Sequence, residues 1–323
     1  MNKPPSDGIR VPAVALHQLV YQIFQAVPVA DRQAALIAKL LIDADLRGIV
    51  SHGVMQVKRY FTDFRSGATN THPEVQILRQ AASTAALSGD GGLGYGIGTR
   101  AMEMAIDKAR ETGIGAVTTT YHEHIGSAGN YARMAMRQDM IGICFSGHSF
   151  RGFAPGQTVN GSADSAPLAF GIPAGPDHPY FLCDFSSNMP FDEDFFAKYP
   201  AVYFRGIGLS YVGNIMSGTL GGQMLAEFDQ SSVRYPVANQ SGFFMALAIE
   251  NFVSVEAFKG DMDEMMAGVS QLEPYPGFSD PQLPGGPEWN CERQYEGIGL
   301  PVCREAQENL EKIAGEVNVD LPW

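Results

Sequence analysis

The sequence predicts an α/β protein: a three-layer body with a mixed sheet, joined to a helical N-terminal lobe. Two observations support this class. Apolar strand-like runs alternate with amphipathic helical runs over residues 73–275, whereas residues 1–72 show helical periodicity alone. A last helical run follows a proline-rich segment, and we expect this tail, residues 276–323, to pack back on the N-terminal lobe.

The N-terminal lobe is predicted to contain two helical segments. The first begins near Val29 with Asp31 as its N-terminal cap, and Gly48 ends it. The second covers residues 54–66 and ends at Gly67. Apolar residues of the first segment recur at intervals of three and four, so we expect one of its faces to be buried.

Strands and helices alternate through the body. The strand-like runs are VQILRQ, STAALSG, GAVTTT, IGICFSG, PLAFGIPA, YFLCDFS and GFFMALAIENF. The helical runs are TRAMEMAIDKARETG, AGNYARMAMRQ and GLSYVGNIMSGTLGG, the last of which is predicted to be buried. A helix is expected after Ser254, EPYPGFSDPQLPGGPEW is expected to be irregular, and the final helix is expected from Arg304 to Gly315.

The charge and the cysteines limit the classes of partner. The chain carries 35 acidic and 22 basic residues, a net charge of −13, which disfavours nucleic acids and anionic membranes as partners. The four cysteines form no CxxC pair, and no secretory signal or membrane-spanning run is visible. We therefore expect a cytoplasmic protein that acts on a small molecule.

His52 is the first candidate catalytic residue, in the motif Ser51-His52-Gly53. If the helix continues through this motif, Gln56 shares a face with His52 and Arg59 follows one turn on. An imidazole titrates near pH 7 and is suited to protonate a carbonyl oxygen or an imine nitrogen. Taken alone, however, the pattern favours a satisfied surface histidine.

A second cluster lies in YHEHIGSAGNYA, where His122 and His124 flank Glu123 at the end of a predicted strand. His148 ends the next strand. Ligands of α/β proteins collect at strand ends, so we expect one of these histidines to face a cleft. The H-x-H spacing is also found in metal sites, but no nearby run of carboxylates or thiols supports a metal, and none is predicted.

The segment GDGGLG, residues 89–94, fits the dinucleotide-binding pattern G-x-G-x-x-G, and it follows a strand and precedes a helix. The next strand ends in VTTTYHEH, which does not provide the acidic residue that would hold a ribose. We therefore favour a turn that packs closely against its neighbours over a nucleotide-binding loop.

An ordered set of motifs along nearly the whole chain resembles the malate/L-lactate dehydrogenase family of the non-Rossmann type. The matching segments are ADLRGIVSHGV, GDGGLGYGIG, AIDKARETGIGAV, HEHIGSAGNYA, PLAFGIPAG, CDFSS, RGIGLSYVGNIMSGTLGG, FFMALAIENF, LPGGPE and EGIGLP. The resemblance implies a non-Rossmann α/β fold that is usually dimeric and uses NAD or NADP.

The resemblance also implies site residues. His52 matches the proton donor proposed for some members, and His124 matches the histidine given that role in others. Ser51, Gln56 and Arg59 fall at substrate-binding positions. The residues at cofactor-binding positions are His148, Asp184, Phe185, Ser186, Arg205, Gly285 and Gly286.

The chain departs from the family pattern at several of these positions, as a divergent and shortened member. Gln56 stands where the family has an arginine that binds the substrate carboxylate, so Lys58 or Arg59 would have to replace it. The segment between CDFSS and Arg205 is much shorter than in the family. The other departures are Ser146-Gly147-His148 for Thr-Asn-Ser, Asp164-Ser165-Ala166-Pro167 for Gly-Thr-Asn-Pro, Arg205 for lysine and Gly286 for glutamate.

The function predicted first is an NAD(P)H-dependent oxidoreductase that reduces a carbonyl, as in a 2-oxo acid, or a cyclic imine, with His52 or His124 as proton donor. Gln56 indicates a substrate that is larger or less anionic than a simple 2-oxo acid. The alternative is a family member without redox activity, either a cofactor-free isomerase or cyclase or a binding protein. The altered cofactor segments favour this alternative, and the retained histidines oppose a purely structural role.

Overall fold

The computed structural model describes residues 4–148, 155–156, 166–187, 191–228 and 233–323. The chain forms two compact units. The first comprises Met1–Pro73, Ala174–Phe181 and Lys259–Trp323, and the second comprises Glu74–Pro173 and Leu182–Phe258. Residues 259–275, which the sequence analysis assigns to the body, thus belong to the first unit.

The elements that the sequence predicts occur in the predicted order, whereas the helices Ala13–Gln25 and Glu193–Lys198 were not predicted. The strands are β1 (Ile9–Val11), β2 (Gln76–Gln80), β3 (Thr84–Ser88), β4 (Ile114–His122), β5 (Met140–Gly147), β6 (Pro167–Ile172), β7 (Phe181–Ser186), β8 (Gln240–Ala248) and β9 (Leu300–Val302). The α-helices are α1 (Ala13–Gln25), α2 (Asp31–Leu46), α3 (Val57–Ser66), α4 (Gly94–Thr112), α5 (Gly129–Met136), α6 (Glu193–Lys198), α7 (Pro200–Asn214), α8 (Val255–Val269), α9 (Gly286–Ile298) and α10 (Arg304–Val317).

The first unit is mainly helical and unites the two ends of the chain. β1 pairs antiparallel with β9, and Ile9 lies opposite Val302. Helix α10 packs on α1 and α3. The C-terminal helix thus packs on helices near the N-terminus within this unit. The buried apolar residues include Leu16, Ile23, Phe24, Ile37, Leu41, Tyr60, Phe64, Leu310 and Ile313.

The second unit is built on a seven-stranded sheet in the order β2-β3-β4-β8-β5-β6-β7. β3 and β4 are parallel, whereas β8 runs antiparallel to both of its neighbours, β4 and β5. The predicted mixed sheet is thus confirmed. Because β4 and β5 both oppose β8, they point the same way and end at the same edge of the sheet.

Both faces of this sheet are covered, as consecutive phenylalanines of β8 show. Phe244 makes an edge-on ring contact with Tyr131 of α5, with the centroids 5.3 Å apart. Phe243 stacks on Phe145 at 5.8 Å, in a cluster that also packs against Met216. Since side chains alternate along a strand, these contacts lie on opposite faces and give three layers.

Two local expectations in the first unit and the tail were wrong. Asp31 is the first residue of α2 and not its cap: its carboxylate accepts hydrogen bonds from the Tyr21 hydroxyl at 2.6 Å and the Gln25 amide at 2.8 Å. The carboxylate of Asp31 is thus bonded to side chains of the preceding helix, α1, instead of capping backbone N–H groups of α2. The irregular segment also ends earlier than expected, because α9 begins at Gly286, with Pro287 in its first turn.

The run GLSYVGNIMSGTLGG is helical but not buried as predicted. It forms the end of α7 and then a π-helical turn, Ile215–Thr219. Small and polar residues face inward, whereas Leu209, Val212 and Ile215 are 40%, 48% and 48% exposed. Close approach of the helix backbone to the sheet explains the inward residues: a Cβ atom at Gly213 would lie 2.7 Å from Ala166.

No helix in the described part of the chain is both long enough and apolar enough to span a bilayer.

Candidate active site

The His52 loop belongs to the first unit. The condition under which His52 and Gln56 would share a face, a helix that continues through this motif, is not met. His52 ends a 3-10 turn, Val50–His52, and a second 3-10 turn covers Val54–Gln56. Gly53 separates the two turns with φ −92° and ψ −145°, an extended conformation that breaks the helical ladder. His52 and Gln56 therefore do not share a helical face.

Hydrogen bonds still link two of the predicted substrate-binding residues, Ser51 and Gln56, within the His52 loop. The Ser51 hydroxyl lies 2.9 Å from Nδ1 of His52, and the Gln56 side-chain amide donates to the Ser51 carbonyl oxygen at 2.7 Å. Ser51 is exposed, and His52 and Gln56 are half-buried. Gln56, which was predicted to bind substrate, therefore supports the backbone of the loop.

The two cations that could replace the missing arginine lie on α3. The guanidinium of Arg59 is 3.8 Å from the carboxylate of Asp63, one turn along the helix, and its side chain is 49% exposed. Lys58 lines a groove of about 370 Å³ beside Arg65, between α3 and α10. Arg59 thus carries a counter-ion already, which partly offsets its charge toward a substrate.

Asp45, on α2 beneath this loop, was not predicted as a site residue. It is 3% exposed, and its carboxyl group accepts the Val54 N–H at 2.8 Å. The signal was present in the sequence: Asp45 lies four residues after Leu41, so it occupies the buried stripe of α2. Acidic residues are rarely buried without a polar partner, so an acidic residue on an apolar stripe is a candidate functional residue.

The other histidines lie in the second unit at one edge of its sheet. His122 ends β4, where it is paired with Gln240, and His148 follows β5, whose last residue, Gly147, is paired with Ser241. Both pairs lie at the start of β8, so β4 and β5 end at the same edge of the sheet, on either side of β8. His124 follows two residues after the end of β4.

His122 has a structural role. It is fully buried, its Nδ1 donates to the Glu123 carbonyl oxygen at 2.7 Å, and its Nε2 accepts from the Thr119 hydroxyl at 2.8 Å. Burial, and more weakly the charge of His148, lowers the pKa of His122 to about 4. The ring is therefore neutral at physiological pH, with both nitrogens occupied.

A β-bulge interrupts β4 just before its last residue, His122. The register of β4 against β8 shifts between Thr119 and His122, and Tyr121 adopts a left-handed conformation with φ +52°. The Tyr121 hydroxyl accepts the N–H of Tyr235 at 3.2 Å. Bulges redirect side chains, and backbone strain of this kind is common beside active sites.

The glycine-rich loop 89–94 packs against this same segment. Gly91 donates its N–H to the Tyr121 carbonyl oxygen at 3.0 Å, and Gly94 donates to the His124 carbonyl oxygen at 3.1 Å. A Cβ atom at Gly94 would lie 2.5 Å from the Glu123 carbonyl oxygen. These glycines allow close packing, which supports the turn over the nucleotide-binding loop.

Asp184 joins the predicted cofactor strand to the segment after His124. One carboxylate oxygen accepts the Ser127 hydroxyl at 2.6 Å and the Gly129 N–H at 3.0 Å, at the start of α5. Phe185 and Ser186 follow at the end of β7, half-buried and exposed respectively. That oxygen of Asp184 thus caps a helix, whatever else the residue binds.

His148 is fixed on two sides. Its backbone N–H donates to the Asn214 side chain at 2.8 Å, and its Nδ1 donates to the Asn239 carbonyl oxygen at 2.8 Å. This second bond makes Nε2 the acceptor nitrogen of the neutral ring. Arg205 is exposed on α7.

Gly285 and Gly286 belong to the first unit, at the start of α9. Gly285 has φ +99°, which favours glycine, and Gly286 lines a cavity of about 360 Å³. The Gln282 side chain lines the same cavity, and its Oε1 is buried with no hydrogen-bond partner within the described residues. The remaining lining residues are His178, Pro179, Met266, Val269, Ser270, Asp280, Pro281, Leu283 and Asn290.

Comparison with known proteins identifies the family. The sequence profile described as malate/L-lactate dehydrogenase matches residues 11–190 and 195–311. The chain belongs to this family. It is 30% identical to malate dehydrogenase of Pyrococcus horikoshii over 97% of this chain and 96% of that protein. It is 25% identical to the ureidoglycolate dehydrogenase (NAD(+)) of Escherichia coli O157:H7, over 94% and 95% of the two chains.

The solved structures agree. The malate dehydrogenase structure from Pyrococcus horikoshii OT3 has a TM-score of 0.84 and 29% identity, and it covers 99% of each chain. Relatives along nearly the whole length are thus dehydrogenases, and this member of the malate/L-lactate dehydrogenase family is an oxidoreductase. The alternative without redox activity is not favoured.

The structure shows what some of the residues that depart from the family pattern contact. Gln56 bonds the Ser51 carbonyl oxygen, and His148 is fixed by Asn214 and Asn239. Asp164 and Ser165 lie outside the described residues. The shortened segment contains α6 and the start of α7, where the Asp192 side chain accepts the Phe195 N–H at 2.7 Å.

Proposed function

We propose that this oxidoreductase reduces the carbonyl group of a 2-oxo acid, or the C=N bond of a related cyclic imine, with NADH or NADPH and with His52 as proton donor. The observation that carries the proposal is the hydrogen bond between Ser51 and Nδ1 of His52 in a loop held by a buried carboxyl group. His124 is the second candidate, because it lies at the sheet edge where β4 and β5 end.

The bond to Ser51 suits His52 for proton donation. When the serine hydroxyl donates to Nδ1, the proton of the neutral ring lies on Nε2. When the ring is charged, Nδ1 donates to the hydroxyl oxygen and Nε2 again carries a proton. The charged ring can therefore give its Nε2 proton to the substrate, after which the neutral ring keeps its proton on Nδ1 and still donates it to the Ser51 oxygen, as a general acid requires.

The substrate is proposed to be less anionic, or larger, than malate. Gln56 can donate hydrogen bonds to a carboxylate but supplies no charge, and its amide already serves the Ser51 carbonyl oxygen. Arg59 supplies a positive charge for a carboxylate, which Asp63 partly offsets. A bidentate ion pair with an arginine is stronger than an amide contact, so carboxylate binding should be weaker here.

The residues present fit a nicotinamide nucleotide. In the first unit, the cavity beside Gly286 offers a buried acceptor without a partner within the described residues, Gln282 Oε1, which suits an amino group of the nucleotide. The chemistry that a bound nicotinamide supplies is hydride transfer. The choice between NAD and NADP is left to measurement.

Binding of NADH or NADPH should stabilise the protein. At a nucleotide concentration of about 100 times its dissociation constant, the free energy of unfolding should rise by ~2.7 kcal/mol, which thermal melting measures. Gln282→Leu should weaken binding about 2- to 10-fold, because it removes one acceptor. The matched change at an exposed residue, Gln271→Leu, should leave binding unchanged. No stabilisation by either nucleotide would refute the proposed cofactor.

A homodimer is proposed from the apolar surface of the second unit. Large apolar side chains are exposed along α7 and the segment after it, where a second copy would cover them. They are Phe204, Leu209, Val212, Ile215, Leu220, Met224 and Leu225. The cytoplasmic location expected from the sequence likewise stays a prediction.

Val212→Glu should weaken the dimer roughly 100-fold, because an unpaired charge buried in an interface costs several kcal/mol. Val14→Glu is the matched control: it makes the same change on α1, where Val14 is 84% exposed. Light scattering over a dilution series measures both. A wild-type protein that stays monomeric at high concentration contradicts the proposal.

A further inference from the structure

Asp45 lies beneath the loop that carries His52. It is the penultimate residue of α2, and its side chain is withdrawn from solvent, with a relative exposure of 3%. One carboxyl oxygen accepts the Val54 N–H, nine residues further along the chain, at 2.8 Å. The other, Oδ1, has no hydrogen-bond partner within the described residues.

The carboxyl group also fits against the backbone of Gly53. A Cβ atom at position 53 would overlap Cγ and both oxygens of Asp45, so no other residue type is accommodated there without movement. Gly53 is the break between the two 3-10 turns. The carboxyl group therefore contacts the chain between His52 and Val54, where the direction of the loop is set.

Burying a carboxyl group in this way lowers the stability of the folded protein. A buried oxygen without a partner costs roughly 1–3 kcal/mol, and an apolar residue of the same shape avoids this cost. Burial raises the pKa of Asp45 to about 8, although the bond from Val54 opposes the shift. Tyr295 of α9 lies near enough for the two groups to influence each other.

We propose that Asp45 is a positioning residue: through Val54 and the notch at Gly53 it sets the conformation of the Ser51–His52 turn, and thereby the direction of the His52 imidazole. The inference rests on the proposed function only in so far as His52 donates the proton. The placement of the loop itself is independent of that role.

Three variants separate positioning from stability. Asp45→Asn keeps the shape and an acceptor for Val54, Asp45→Leu keeps the approximate shape and removes the acceptor, and Asp31→Asn changes an exposed carboxylate of the same helix. The first readout is the NMR titration of the His52 imidazole, which is assigned among the seven histidines by its loss in His52→Gln.

We expect the His52 resonances and titration midpoint to change in Asp45→Leu and to be largely restored in Asp45→Asn, while Asp31→Asn matches the wild type. With a substrate in hand, kcat of Asp45→Leu should fall about 10–100-fold with KM within about threefold, because misplacement of a catalytic group by about 1 Å costs this much. A folded Asp45→Leu protein with the wild-type His52 titration overturns the proposal.

If Asp45→Leu does not fold, amide exchange of the wild-type protein decides. The Val54 amide should be protected from exchange, since it is bonded to a buried acceptor, and an unprotected Val54 amide overturns the proposal. Neither the titration nor the exchange depends on a nucleotide. Failure of the protein to bind NADH and NADPH therefore refutes the proposed function without deciding the role of Asp45.

Discussion

Replacing His52 by glutamine should lower kcat by about 10²–10⁴-fold, the contribution typical of a general acid, and should change KM little. Glutamine retains a hydrogen-bonding amide but has no proton to give near pH 7. Steady-state reduction of a 2-oxo acid or cyclic imine at saturating nucleotide measures the effect. The pH profile of kcat should also lose the limb that reports titration of this imidazole.

The chain offers a matched control for this variant. His72 is exposed, and its Nδ1 lies 3.0 Å from the Thr71 hydroxyl, which repeats the Ser51–His52 geometry outside the motif. His72→Gln should leave kcat at the wild-type value. If His124→Gln shows the large loss and His52→Gln does not, the donor is His124. Small and equal losses in both variants would mean that neither histidine gives the proton.

The contribution of Asp45 to the free energy of unfolding should fall as the pH rises from about 4 to about 8. Its pKa is raised from 3.8 to about 8 in the folded protein by burial. Below pH 3.8 both folded and unfolded states keep the proton, so the stability is complete. Between these values only the unfolded chain releases the proton, which costs the folded state ~1.4 kcal/mol per pH unit.

Asp45→Asn removes this titration, so the stability of the variant should exceed that of the wild type increasingly toward pH 8. Denaturant unfolding of both proteins at pH 5 and pH 8 measures the difference. The two proteins must be compared at each pH, because His122 also titrates. Its pKa is lowered to about 4, so its contribution to the free energy of unfolding decreases as the pH falls. An equal difference at both pH values would mean that Asp45 does not titrate in this range.

Much of the fold could be predicted because the local patterns agree with the final structure. The alternating runs of the body became strands and helices within a few residues of the expected ends, and Gly67 ends α3 with φ +71° as the sequence suggested. His122 and His148 lie at the same edge of the sheet, at the ends of two strands that are separated by β8. These features depend on periodicity and on glycine conformation, which are both visible in a single sequence.

The parts that were not predicted depend on partners distant in sequence. The helical periodicity around His52 gave no sign that the carboxyl group of Asp45, eight residues before Gly53, would occupy the space at Gly53. The carboxylate of Asp31, which was predicted to cap α2, instead accepts a hydrogen bond from the Tyr21 hydroxyl. The apolar residues of α7 were assigned to the interior, but the close backbone approach at Gly213 leaves Val212 exposed.

The position of β8 has a consequence for how the chain folds. It is the last strand of its sheet to be synthesised, yet it lies between β4 and β5 and joins two groups of three strands. Before residue 240 leaves the ribosome, each group presents an open edge that could pair with another nascent chain. The sheet is completed only by contacts of long sequence separation, so its assembly should be slow and should benefit from a chaperone.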